Sequence, residues 1–276
     1  YLKCLHHFEP MGIDPVFTED ILSQINLLLK EISLNQFIYK LYNEKEELEK
    51  KYEQLKIILD GGSITGGKKD ELYFPVLEQA ASNDRNSFGL LETISIQIKQ
   101  EKHETKFHIS PSGKEIEERL NEQIKISWQA ALECVKKHIR KPEKRHYVFI
   151  QFDHHYGEYV GNSLGAALTL AFMKELLIYY NSQCLISYRG KVAITGGLDK
   201  EKNILTVSDD NINKKTETVF YSDTDSLVVK ETEKYAAQIK LGELQKSYTK
   251  RKLKIIGVED FMDLLDRRSI LEMHEQ

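Results

Sequence analysis

Three features of this sequence predict an α+β fold preceded by a helical, coiled-coil-like segment. Strand-like and helix-like stretches follow one another in mixed order rather than as a regular βαβ series. Ile94, Ile96 and Ile98 alternate with Ser95, Gln97 and Lys99, the every-other-residue period of a half-buried strand. Two sets of apolar residues recur at helical spacing: Ile21, Ile25, Leu28, Leu29 and Ile32, then Ile116, Leu120, Ile124, Ala131, Val135 and Ile139.

The elements follow in chain order. A helical hairpin is expected from about Thr18 to Leu59. Its charged part, Glu44 to Gln54, carries Leu48, Tyr52 and Leu55 on one stripe; a solvated outer face or a coiled-coil partner would account for the rest. Gly61-Gly62-Ser63-Ile64-Thr65-Gly66-Gly67-Lys68-Lys69 ends the helices. Gly62, Gly67 and Lys68 have the spacing of a phosphate-binding loop, but Lys69 stands where Ser or Thr would reach Mg²⁺, so the stretch reads as a flexible linker. The boundary falls there: a helical segment and linker at 1–69, an α+β domain at 70–276.

In the second part, the Ile94–Ile98 strand, a turn at Glu101–Glu104 and a strand Phe107–Ile109 predict a hairpin, ended by Ser110-Pro111-Ser112-Gly113. A long helix is expected from about Glu115 to His138. The basic run Lys136–His146 has no interleaved aromatic residue before Tyr147 and reads as a solvated helix end with a loop. Strands are expected at Tyr147–Phe152, Leu185–Tyr188, Val192–Thr195, Ile204–Val207 and Thr218–Tyr221, with an apolar helix after Ser163. The last elements read as helix Thr232–Leu244, strand Leu253–Val258 and helix Phe261–Leu265.

The chain has 276 residues, 41% of them hydrophobic, which is enough for a real core, and its net charge of −4 argues against general affinity for nucleic acid or anionic membranes. Cys4, Cys134 and Cys184 are odd in number and widely spaced, which predicts a reducing, cytoplasmic setting without a disulfide framework. No apolar run approaches the roughly 20 residues of a membrane span, and no signal peptide is visible. The sequence begins at Tyr1 rather than Met, as a piece of a longer polypeptide would.

The candidate chemistry centres on Gly161-Asn162-Ser163-Leu164-Gly165-Ala166-Ala167-Leu168. A serine at a helix N-terminus sits among backbone N–H groups that lack intrahelical partners and can hold an oxyanion. A lysine folded back onto such a serine can act as its base, provided burial lowers its pKa enough to leave it neutral. Lys214-Lys215 lies beyond a hairpin expected to begin at Val192–Gly197. The plainer alternatives are a capping Asn162 or Ser163 and a pair of solvated loop lysines.

From about Phe88 onward the chain resembles the proteolytic domain of the Lon family. The matching features are the early hairpin, the helix with Ser127-Trp128-Gln129-Ala130-Ala131-Leu132, the strand after it, and Gly-x-Ser-x-Gly at Gly161–Gly165. Thr195-Gly196, the return through Asn203-Ile204-Leu205, and the stretch Leu253–Leu265 also fit. Aligning Ile212 with the family's apolar residue upstream of its catalytic lysine puts that lysine at Lys215, with Lys214 as the alternative. Asp209-Asp210-Asn211 replaces the family's usual glycine pair. The resemblance implies a Lon-like serine peptidase that cleaves protein substrates with a Ser163–Lys215 dyad. It further implies a ring-shaped homo-oligomer and an AAA+ ATPase module. No ATPase motif occurs in this sequence, so ATP would act through a module elsewhere on the chain or on a partner; no cofactor or metal is expected in the chain itself.

Two other readings stand beside it. Val219-Phe220-Tyr221-Ser222-Asp223-Thr224-Asp225-Ser226-Leu227 resembles the metal-binding hairpin of family B DNA polymerases, in which Asp223 and Asp225 would hold Mg²⁺. A catalytically inactive Lon-like assembly module is the third. His154-His155, with Asp153 or Glu158, completes no recognisable metal-ligand pattern, and His6-His7 has no supporting context.

Overall fold

The computed structural model describes residues 2–31, 35–64, 71–77, 89–110, 118–139, 145–152 and 163–275. Within these, the expected helical hairpin forms. A short helix α1 (Leu2–His6) precedes α2 (Pro15–Glu31) and α3 (Asn35–Leu59). Proline at the first helical position and the Asp14 side chain, which accepts from the Val16 N–H at 3.0 Å, define where α2 begins. Leu5, Ile25, Leu41 and Leu48 form a small core between these helices. Further along α3, Tyr52, Leu55 and Leu59 are buried against the rest of the chain.

The second part contains β1 (Glu71–Leu77), β2 (Gly89–Gln100), β3 (Lys106–Ser110), α4 (Glu118–Val135) and β4 (His146–Phe152). It continues with α5 (Gly165–Tyr179), β5 (Cys184–Tyr188), β6 (Lys191–Ile194), β7 (Gly197–Leu198) and β8 (Ile204–Leu205). It ends with α6 (Asp209–Phe220), β9 (Ser226–Lys230), α7 (Lys234–Ser247), β10 (Lys254–Val258), α8 (Phe261–Asp266) and β11 (Leu271–Glu275). This is a mixed α+β arrangement. A seven-stranded sheet has the order β10-β9-β6-β1-β2-β4-β3. β2 alone runs against the other strands.

The strands of this sheet direct alternate residues to two cores. Val192 and Ile194 of β6 and Val228 of β9 face α4 and α5. Ala193, Leu227 and Val229 face the other way, toward α3, α6 and α7. The β6–β9 part of the sheet is therefore covered on both faces and is apolar on both sides, whereas Ser95, Gln97 and Lys99 of β2 are exposed and leave one face of its far end open. Among the described residues no helix is long and apolar enough to cross a membrane.

Two strand expectations are corrected. β2 and β3 do not form a hairpin: β4 lies between them, antiparallel to β2 and parallel to β3. His146, Val148, Ile150 and Phe152 of β4 are fully buried, so this strand takes the interior position and β3, with exposed Lys106, takes the edge. Thr218–Tyr221 is not a strand: residues through Phe220 close helix α6. β1 and β11 are additions that the alternation pattern did not signal. β1 is nearly all apolar and contains Pro75, tolerated because its ladder with β6 spans only Glu71–Tyr73. β11 pairs antiparallel with β5 in a separate two-stranded sheet.

Candidate active site

Helix α6 carries the decisive lysine. Ser208 occupies its N-cap position in extended conformation. Ile212, Lys215, Thr216, Val219 and Phe220 then fall at i, i+3, i+4, i+7 and i+8, and all are buried. Tertiary burial of this stripe overrides the strand preference of Thr218, Val219 and the aromatic pair. Lys215 thus sits on the inward face of the helix, 3% exposed.

Ser163 lies just before α5, a helix whose inner residues Gly165–Leu170 are all buried. Two backbone bonds fasten this start to the end of β6: Gly196 N–H donates to Ser163 O at 2.8 Å, and Ala166 N–H donates to Gly196 O at 3.1 Å. Gly196 has φ +129°, a conformation that L side chains rarely adopt. Thr195 N–H in turn donates to Val228 O of β9 at 3.1 Å. The serine, Thr195 and β9 are thereby held in one register.

Lys215 Nζ donates to Ser163 Oγ at 2.8 Å and to Thr195 Oγ1 at 2.8 Å. Ser163 is half-buried and Thr195 is fully buried. Burial pushes the Lys215 ammonium down to about 8, a shift opposed by the negative charge of Glu233. The neutral amine is therefore within reach near physiological pH. The neighbouring Lys214 points around the helix from Lys215, because successive helical residues do not share a face; its carbonyl accepts from Thr218 Oγ1 at 3.0 Å.

A buried polar network supports the serine from behind. Gln123 Nε2 donates to Leu198 O at 3.1 Å while Leu198 N–H donates to Gln123 Oε1 at 3.1 Å, so the side chain pairs with β7 as a strand would. Ser127 Oγ donates to Gly165 O at 3.0 Å. A Cβ on Gly165 would lie 2.5 Å from Gln123 Nε2 and 2.6 Å from Leu198 N. Gly165→Ala is therefore expected to lower stability by about 1–3 kcal/mol through overpacking, read as an earlier urea midpoint. An unchanged midpoint would show that α4 and β7 can yield at no cost.

Of the candidate residues, the structure brings Ser163 and Lys215 into direct contact and adds Thr195, which the sequence offered only as part of a Thr-Gly pair. Glu233 had no sequence signal. Gly161, Asn162, His154, His155, Asp153, Glu158 and the Gly67-Lys68-Lys69 stretch lie outside the described residues. His6 Nδ1 is 3.1 Å from Glu44 Oε1. The polymerase-type hairpin does not form, because Val219 and Phe220 are helical. Asp225 Oδ2 accepts from Lys191 N–H at 2.9 Å, and Asp223 pairs with the Lys191 ammonium, so both serve the turn into β9. Among the described residues no group of three or more His, Cys, Asp or Glu is placed to hold a metal ion. No protein-family model and no curated protein matches this chain.

Proposed function

We propose that this chain hydrolyses peptide bonds, with Ser163 as nucleophile and Lys215 as its base. The observation that carries the reading is a buried lysine amine 2.8 Å from a serine hydroxyl that precedes a helix. Neutral Lys215 takes the Ser163 proton as Oγ attacks the scissile carbonyl carbon. The carbonyl oxygen becomes an oxyanion against N–H groups at the start of α5 other than that of Ala166, which donates to Gly196 O. Collapse breaks the C–N bond, and the Lys215 ammonium returns its proton to the departing amine. Water, deprotonated by the same amine, then attacks the acyl-enzyme ester and releases the new carboxylate and Ser163. Thr195 keeps the amine aimed at Oγ throughout.

The resemblance of the Ser163 and Thr195-Gly196 segments to Lon-type domains supports a Lon-like Ser-Lys peptidase acting on protein substrates. It extends the proposal to a homo-oligomeric ring in the cytoplasm, served by an AAA+ ATPase module that lies elsewhere on the chain or on a partner.

The test is cleavage of an unfolded protein and of fluorogenic peptides across pH. Only the neutral amine is a base, so kcat/KM is expected to rise with pH and reach half its plateau near pH 8, following Lys215. Mass spectrometry of a slowly deacylating peptide ester should place the acyl group on Ser163. No cleavage at any pH, with the fold intact, would leave the assembly-module reading in its place.

A further inference from the structure

A second buried charge lies at the same end of the sheet as the Ser163–Lys215 pair. Glu233 closes a 3-10 turn, Glu231–Glu233, between β9 and α7, and is 4% exposed. Its carboxylate accepts from the Val207 N–H, next to the Ser208 that begins α6. Helical side chains lean toward the N-terminus of their helix, so the Lys215 amine reaches back over the first turn of α6, where Glu233 is anchored. The strands agree with this placement. Thr195, which binds the amine, donates its N–H to Val228 O of β9, and β9 runs directly into the Glu231–Glu233 turn.

We propose that Glu233 is a positioning residue of the pair: it fixes the start of α6 through Val207 and presents a buried negative charge to the Lys215 amine. The charge holds the lysine at a working proton affinity. Without it, desolvation alone would keep the amine neutral to lower pH and make it a weaker base. Other charged groups lie around α6. Glu217, on α6 itself, pairs with Lys240 of α7 at 3.0 Å. Glu71 of β1 is 3.9 Å from Lys191. Lys214 is on α6 one residue from Lys215, and Glu92 is buried on β2. The side chains of Ser163 and Thr195, which touch the amine, are neutral.

The catalytic part of this role rests on the peptidase reading, whereas the placement of the charge does not. The experiment is therefore lysine-selective ¹⁵N NMR of the whole chain, following the Lys215 Nζ titration in wild type and in Glu233→Gln. Glutamine keeps an oxygen acceptor for Val207 and removes only the charge. The Lys215 midpoint is expected to fall by about one pH unit, with the rising limb of peptide cleavage moving down alongside it. A purely structural Glu233 would move neither, and an unchanged midpoint in the folded variant overturns the proposal. Should Glu233→Gln fail to fold, the reciprocal measurement decides. In Lys215→Met, the ¹³C-detected Glu233 titration is expected to rise because coupling between two sites acts equally on both. No rise would overturn the proposal. A shifted midpoint in a chain that cleaves no peptide would sink the peptidase reading alone.

Discussion

On the peptidase reading proposed above, Lys215→Met is expected to reduce peptide cleavage about a thousandfold or more while leaving the fold intact. Methionine matches the unbranched stem and fills the same buried volume, but it offers no lone pair of comparable basicity to Ser163. Ser163→Ala should be as severe, and the double variant no worse than either single one, because nucleophile and base act as one unit. The stability of Lys215→Met separates catalysis from packing. In wild type the amine titrates at about 8 when folded and at an ordinary lysine value when unfolded. Below pH 8 both states are protonated, and the folded state bears the full penalty of a buried ammonium, about 3 kcal/mol. As pH rises from about 8 toward the unfolded value, the unfolded chain binds more protons, so wild-type stability increases. Methionine removes the penalty and leaves the Thr195 hydroxyl without its partner, a loss of about 1–2 kcal/mol. The variant should therefore melt at or above the wild-type temperature at pH 7, and its melting should lose the alkaline rise. A variant that cleaves within tenfold of wild type would remove the lysine from the mechanism.

Arg251→Met is expected to be the most destabilising single change in the described structure, at about 3–5 kcal/mol. Arg251 is buried, and its guanidinium donates to the carbonyls of Phe220 at 3.0 Å and Ser222 at 2.8 Å, and to those of Thr224 and Lys252. The carbonyls of Phe220, Ser222 and Thr224 end α6 and form the turn into β9, where a helix leaves its last acceptors unpaired and its dipole favours a cation, while that of Lys252 lies just before β10. Burial pushes the guanidinium down to about 10, with Asp225 and Asp223 opposing the shift, so it stays charged at neutral pH. Truncation would leave several desolvated carbonyls with no donor. Lysine should not restore the loss, because a point charge lacks the planar fork that reaches several acceptors at once. Urea unfolding measures the effect. A loss below about 1 kcal/mol would mean that water replaces the guanidinium. Because α6 carries Lys215, cleavage by any folded fraction of the variant should fall as well.

Much of the fold was legible. The alternation of β2, the long stripe of α4 and the apolar run of α5 all became elements with the expected faces buried. Local pattern failed where the environment was uniform or the pairing distant. β1 is apolar on both faces and interrupted by Pro75, so it shows no period. β11 exists only because β5, far away in sequence, offers it an edge. The end of α6 has a strand-like local sequence because Thr218, Val219, Phe220 and Tyr221 individually suit a strand. Their helical burial shows only when Ile212 and Lys215 are counted in the same stripe.

The sequence by itself determined the candidate groups and their local settings: a serine at the head of an apolar helix, a lysine pair downstream, and enough apolar periodicity to build a sheet with a buried core. Only the tertiary structure decided that the two groups touch, that Lys215 rather than Lys214 is the partner, and that Thr195 and Glu233 attend it. The physical reason is that periodicity encodes which face of an element is buried, whereas the meeting of residues 163, 195 and 215 depends on strand register across β6 and β9 and on how α6 packs against β1, β2 and α7. A lysine's proton affinity, moreover, is set by the water excluded around it, a property of the assembled core and of no segment alone.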